Sequence, residues 1–225
     1  MIRIPALIAA ALSAGIIVAG CSSNNSSESS KTVKALTVSD LTELNGGKAP
    51  VIEYYHNEKR IMQIDGKLSN TQIHRNSDAV DVLCELADII GCSDPENELK
   101  LKVVNTGNPG FIYVFDQYYK DIPVRDGSVA ISVDSEGNTT RLLNRFVDGI
   151  NVETKPKLSA EEASGKAKEK YSCELRDEPE LLIISSDRGV SLVWDIKLKR
   201  GNYPDETFLD ANSGYVVAED GPIPD

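Results

Sequence analysis

The stretch Val190 to Leu198 constrains the fold most. Val190, Leu192, Trp194, Ile196 and Leu198 alternate with Ser191, Val193, Asp195 and Lys197. Successive side chains of a strand point to opposite faces, so a period of two fits a strand and not a helix. An apolar strand face must be buried against a second layer. The neighbouring segments supply both more strands and that layer. Leu181 to Ser185 reads as an apolar strand, with Asp187-Arg188-Gly189 as the turn between it and the alternating stretch. After a loop at Gly201 to Asp205, Thr207 to Asp210 and Tyr215 to Ala218 read as strands joined by Ala211-Asn212-Ser213-Gly214. Upstream, Ser159 and Glu162 form a Ser-x-x-Glu capping box at the head of a helix. Ala163, Ala167 and Tyr171 lie four apart on one of its faces. Trp194 is expected to pack on Ala163 and Ala167.

A similar pattern runs from Val51 to Gly149. Val51 to Tyr55 and Arg60 to Ile64 read as strands, with Asp65-Gly66 as a turn. Asn76, Ser77 or Asp78 can start a helix whose Val80, Leu83, Ala87 and Ile90 recur at helical spacing, with Gly91 at its left-handed end. Asp94-Pro95 breaks the chain, and Leu99 to Val104 is a strand. Phe111, Tyr113 and Phe115 share one strand face, with Ile112 and Val114 on the other. Lys120 to Pro123 turns the chain. Val129, Ile131 and Val133 alternate with Ala130, Ser132 and Asp134, then Ser135-Glu136-Gly137 turns into Thr139 to Val147. Helices beside antiparallel hairpins, without repeating βαβ units, give an α+β class.

The first fifty residues are of another kind. Arg3 precedes an apolar run from Ile4 to Ala19, too short and too rich in Ala and Gly for a good membrane span. The run ends in Val18-Ala19-Gly20-Cys21, which resembles the bacterial lipobox. That resemblance implies a signal peptide over 1–20, a diacylglyceryl group on Cys21, and an extracytoplasmic protein anchored to a bacterial membrane at the cell surface or periplasmic face. Acyl chains contribute about 0.8 kcal/mol per buried CH2, and two or more hold a protein stably. Ser22 to Lys31, SSNNSSESSK, lacks the apolar side chains of a core. With the transitional residues up to Pro50 it makes 21–50 an expected polar tether.

The chain is acidic, with 24 Lys+Arg against 35 Asp+Glu and a net charge of −11. That excludes nucleic acid, whose phosphates require a basic face. It also leaves any membrane hold to the acyl anchor, since a polybasic grip is missing.

Phe115-Asp116-Gln117-Tyr118-Tyr119-Lys120-Asp121-Ile122-Pro123-Val124, followed by Ile131 to Gly137, resembles the fungalysin/thermolysin propeptide (FTP) domain. Leu158-Ser159-Ala160-Glu161-Glu162-Ala163, Leu192-Val193-Trp194-Asp195-Ile196 and Leu209 to Gly214 resemble a PepSY domain. Their order matches the prosegments of thermolysin-type metallopeptidases. The resemblance implies two small cystatin-like domains, each an antiparallel sheet with a helix: an FTP-like one over 51–149 and a PepSY one over 158–220. It implies a folding template and inhibitor acting in trans on a secreted thermolysin-type metallopeptidase. Gln117, Tyr118, Tyr119, Ile122 and Pro123 are its candidate partner-binding residues. Asp121 stands where the family has Gly, and Phe111-Ile112-Tyr113-Val114 where it often has His-x-Arg, so the grip or the partner differs. A surface binding or scaffold module that has lost its protease partner is the alternative.

Catalytic chemistry of its own is not expected. The only histidines, His56 and His74, are eighteen apart, and neither begins the His-Glu-x-x-His of a zinc peptidase. Gly-x-Ser-x-Gly is absent. Gly107-Asn108-Pro109-Gly110 lacks the Lys-Ser/Thr of a phosphate loop. No metal and no cofactor are expected. Cys84, Cys92 and Cys173 read as small buried hydrophobes. A helix carrying Cys84 towards Gly91 would hold Cys84 and Cys92 about 10 Å apart, too far for a disulfide unless the chain folds back.

Overall fold

The computed structural model describes residues 34–55, 60–107, 110–187, 189–199 and 205–221. Cys21, the apolar run before it and His56 lie outside them. The class is α+β, with a ten-stranded, mostly antiparallel sheet.

In the first half, β1 (Val51–Tyr54), β2 (Ile61–Asp65), β6 (Thr139–Asn144), β5 (Ile122–Val133), β4 (Gly110–Tyr119) and β3 (Leu99–Gly107) are neighbours in that order, all antiparallel. One face of this sheet shares a core with α2 (Asn76–Glu85) and α3 (Ala87–Ile90). Phe115, Ile131, Leu142 and Ile64 from the strands meet Val82, Leu83, Leu86 and Ile90 from the helical side, each at most 1% exposed. α4 (Pro95–Glu98) leads into β3.

Two expectations need correction here. The helix expected to run unbroken to Gly91 is interrupted at Leu86, and its buried stripe is Ala79, Val82, Leu83 and Leu86, with Val80 only half-buried. Asp78 does hold its start, accepting the backbone N–H groups of His74 and Arg75 at 3.0 and 3.1 Å. The tether expected over 21–50 also ends earlier. α1 (Val38–Leu44) begins in a capping box between Thr37 and Asp40 and places Leu41, 0% exposed, in the main core. Val38, Leu41 and Leu44 make a stripe of only two turns, with Val38 exposed and Leu44 half-buried, too short a pattern to set the helix apart from linker.

In the second half, β7 (Glu180–Ser186), β8 (Gly189–Lys197), β9 (Glu206–Asp210) and β10 (Val216–Asp220) form an antiparallel meander. α5 (Ala160–Tyr171) starts in the capping box of Ser159 and Glu162. Its Ala163 and Ala167 pack on Ile196, Leu198, Leu209 and Trp194. Trp194 meets the helix as expected, and its indole N–H donates to the Leu158 carbonyl at 3.0 Å.

β5 joins the two halves. Asp116 pairs with Ser128 and Tyr118 with Pro123, so Gln117 alone faces the four residues Val124 to Gly127. This wide bulge swings Val124 out to pair with Ile183 of β7, the one parallel strand pairing among the described residues.

Candidate binding groove

The first sheet has α2 on one face only. On the other, Met62, Ala130, Leu143 and Ser128 floor an open groove of about 920 Å³, closed at one side by the β5 bulge and by Ser185 and Val190 of the second half. A second concavity of about 340 Å³ shares Arg125, Asp126, Ser128 and Arg145 with it and runs on to Lys102, Asp116 and Pro123. The two adjoin at the bulge as a channel, with these four residues common to both linings.

Arg145 sits at their junction, and its position is fixed by its neighbours. Asn144 and Phe146 are buried, at 1% and 3% exposure. Asn144 donates to the Ile90 carbonyl at 3.1 Å and accepts the Phe146 N–H at 2.9 Å. Strand alternation then turns Arg145 to the open side. The backbone here is fully engaged. Arg145 and Ser128 exchange main-chain bonds. The Tyr55 hydroxyl donates to the Asn144 carbonyl, and Arg60 to that of Phe146, both at 2.8 Å. Arg60 also lies over the Tyr55 ring, 4.1 Å from its centroid. Among the described residues no acceptor pairs with the Arg145 guanidinium, which is exposed. It is a bidentate donor on a backbone-bonded segment just past β6, with its hydrogen-bonding capacity unspent among the described residues.

The charge along the channel departs from that of the chain. Lys102, Arg125, Arg145 and Arg60 face Asp116, Asp126 and Asp148, whereas over the whole chain Asp and Glu outnumber Lys and Arg, 35 to 24. Lys102 and Asp116 neutralise each other at 3.1 Å.

Arg125, from the bulge, links the channel to the second half. It donates to Glu206 at 2.9 Å and to Asp220 at 3.2 Å, and lies over the Phe208 ring. Beside Phe208 across β8 and β9 is Asp195, 4% exposed, with one carboxylate oxygen lacking a partner among the described residues. The alternation of β8 reads Asp195 as solvent-facing. The opposite holds, because this face is itself a buried cluster containing Val193, Phe208, Leu182 and Ile184.

The five residues marked from sequence divide. Gln117 is 2% exposed, and both ends of its amide bond the Val147 backbone, so it cannot touch a partner directly; it is a structural clasp. Tyr119 and Ile122 are half-buried against the cluster of Val124, Ile183 and Leu192, which also turns them towards the interior. Tyr118 lies under Lys100, 4.1 Å from its ring centroid. Pro123 is exposed and lines the end of the channel. Sequence reading missed Arg145 and Arg125. The local signal was an arginine at an outward position in or just past a strand, which most surface strands carry.

His74 is exposed, and among the described residues no three His, Cys, Asp or Glu side chains cluster as a metal site. Cys84, Cys92 and Cys173 are free thiols, Cys92 buried and the other two half-buried.

No family model matches this chain, and no curated protein does. Among solved structures, it is similar to the Bacillus megaterium YpeB C-terminal domain. That similarity covers 83% of this chain and 98% of the other, at 14% identity and a TM-score of 0.39.

Proposed function

We propose that this chain is a non-catalytic, membrane-anchored extracytoplasmic binding module that holds an extended, acidic segment of a partner protein in the channel. The observation that carries this reading is Arg145: a guanidinium unpaired among the described residues, on a segment just past β6 locked by Tyr55, Arg60 and Ser128, at the junction of two concavities. An arginine so placed suits a carboxylate, which it can grip bidentately. The channel is open at the surface and floored by a sheet face, a shape for an extended chain. The partner class is a secreted thermolysin-type metallopeptidase, supported by the prosegment-like order of motifs from Phe115 to Gly137 and from Leu158 to Gly214. The anchor rests on Val18-Ala19-Gly20-Cys21. Cys21→Ser then leaves the protein unlipidated, as detergent partitioning and N-terminal mass spectrometry would record.

The test uses residues 22–225 and fluorescent extended decapeptides, one Glu-rich and one Lys-rich. The Glu-rich peptide binds, more weakly as salt rises, and Arg145→Glu weakens it at least about tenfold, or 1.4 kcal/mol. Equal binding of both peptides, or indifference to Arg145→Glu, rules out the acidic-segment reading. Titration into a co-expressed metallopeptidase then decides the partner class. Cleavage of model peptides by the purified chain would overturn its non-catalytic assignment.

A further inference from the structure

Asp195 has no place in the binding reading, yet it is the most anomalous polar group among the described residues. It is 4% exposed, one of its oxygens is unpartnered, and it lies between apolar Val193 and Phe208. A buried carboxylate in that state is costly unless it carries a proton. The charges around it come from every neighbouring strand. Glu180 of β7 lies directly across from it, and Lys197 of β8 reaches Glu180 at 3.7 Å. Glu206 of β9 and Asp220 of β10 share Arg125, which arrives from the β5 bulge with Asp126 beside it. Arg176 and Asp205 border the small cavity next to Glu206 and Asp220.

We propose that Asp195 and Glu206 form a proton switch for the channel: one shared proton loosens the hold of the pair on Arg125 and leaves that guanidinium available to an acidic ligand, and its loss draws Arg125 back. This rests on the acidic-segment reading of the channel. The geometry supplies the relay, because Arg125 lines both concavities while its guanidinium is bonded to Glu206. Asp195 pairs with Phe208 and Lys197 with Glu206, so Glu206 is the diagonal neighbour of Asp195 on the same strand face. With the proton in place Asp195 is neutral and the two carboxyls no longer repel. Without it, a further negative charge faces Arg125 in a region shielded from water, where attraction is strong. Burial first, and then the charge of Glu206, push Asp195 up to about 7, with Lys197 and Arg125 opposing. The folded state therefore prefers the protonated form. Stability is full below the ordinary aspartate value of 3.8 and declines as pH rises towards about 7. Ligand affinity falls over the upper part of the same range.

The experiment has two arms, on wild-type residues 22–225 and on Asp195→Asn, whose amide mimics the protonated acid. In the first, the denaturant midpoint is measured from pH 5 to 8, and the Asp195 carboxyl is titrated by carbon NMR in the wild type. The midpoint should fall with rising pH in the wild type and stay level in the variant, and the carboxyl should titrate near neutrality. A level wild-type profile, a slope that survives in Asp195→Asn, or a carboxyl already ionised at pH 5 overturns the proposal. If the variant does not fold, the carboxyl titration decides alone. In the second arm the Glu-rich peptide should bind wild type about tenfold more tightly at pH 5.5 than at 8.5, the change that follows when bound peptide shifts the linked carboxyl by about one pK unit. Asp195→Asn should bind tightly at both. Wild-type binding that is equal at both pH values, with Asp195 titrating, refutes the relay but leaves the channel reading intact. No peptide binding at either pH refutes the channel reading itself.

Discussion

Gln117 and Val147 hold each other by both ends: the Gln117 amide N–H donates to the Val147 carbonyl, and the Val147 N–H donates to Gln117 Oε1, each at 2.8 Å. This clasp ties the bulge to the segment that follows β6. Gly127 makes room for it, since a Cβ there would lie 2.5 Å from Gln117 Oε1 and 3.0 Å from its Cβ. Gly127→Ala therefore costs about 1–3 kcal/mol, the usual range for overpacking. Gln117→Ala leaves two backbone groups unsatisfied and costs about 2–4 kcal/mol. Urea denaturation of both variants checks this, and a change below about 0.5 kcal/mol in either would contradict the clasp.

The turn between β4 and β5 has two successive residues in the left-handed region, Lys120 at φ 48° and Asp121 at φ 65°. This is the geometry of a tight hairpin turn that favours Asn-Gly or Gly-Gly. Asp121 is the residue that departs from the glycine of the propeptide pattern, and its bond to Lys100 at 3.0 Å is exposed and weak. Asp121→Gly is expected to stabilise the chain by about 0.5–1 kcal/mol, read as a rise in thermal midpoint.

Trp194 is the only tryptophan, so fluorescence reports the second half directly. It is half-buried, and touches both the helix-facing cluster and the one at the bulge. Trp194→Phe keeps the ring but loses the bond to Leu158, a cost of about 1 kcal/mol. Trp194→Ala costs about 2–4 kcal/mol, somewhat less than a fully buried aromatic. A red-shifted native emission maximum, unchanged on unfolding, would place the ring in water instead.

Burial, with Glu98 against the sulfur at 3.3 Å, pushes the Cys92 thiol up to about 12. Because the folded state holds this proton more tightly, its contribution is complete below the ordinary thiol value of 9.0 and is lost as pH rises towards 12. The stability of the chain should therefore drop above pH 9. At pH 8, iodoacetamide should label Cys84 and Cys173, which are half-buried, well before Cys92. Peptide mapping of the labelled chain would show it, and equal labelling of Cys92 in native buffer and in denaturant would refute it.

The strands, the turns and the two capped helices were legible because each is written in neighbouring residues. The period of two from Val190 to Leu198, the capping box at Ser159 and the left-handed Gly91 all act within a few positions of themselves. The α+β class follows from their order. What only the tertiary structure decided are the relations between distant segments. Asp195 alternates like a solvent-facing residue, but a strand pattern does not say whether its second face will be covered. Leu41 becomes core because the main hydrophobic cluster has space for it, a fact invisible in its own helix. The bulge at Val124 to Gly127 depends on Gln117 reaching Val147, thirty residues away, and on Ile183 of β7, from the second half, pairing with Val124. Arg145 becomes a candidate site only when the fold places Arg125 beside it and leaves that sheet face open. Local sequence sets backbone preference and the alternation of faces; burial, pairing and charge proximity depend on what the rest of the chain brings near, and that is a property of the packed whole.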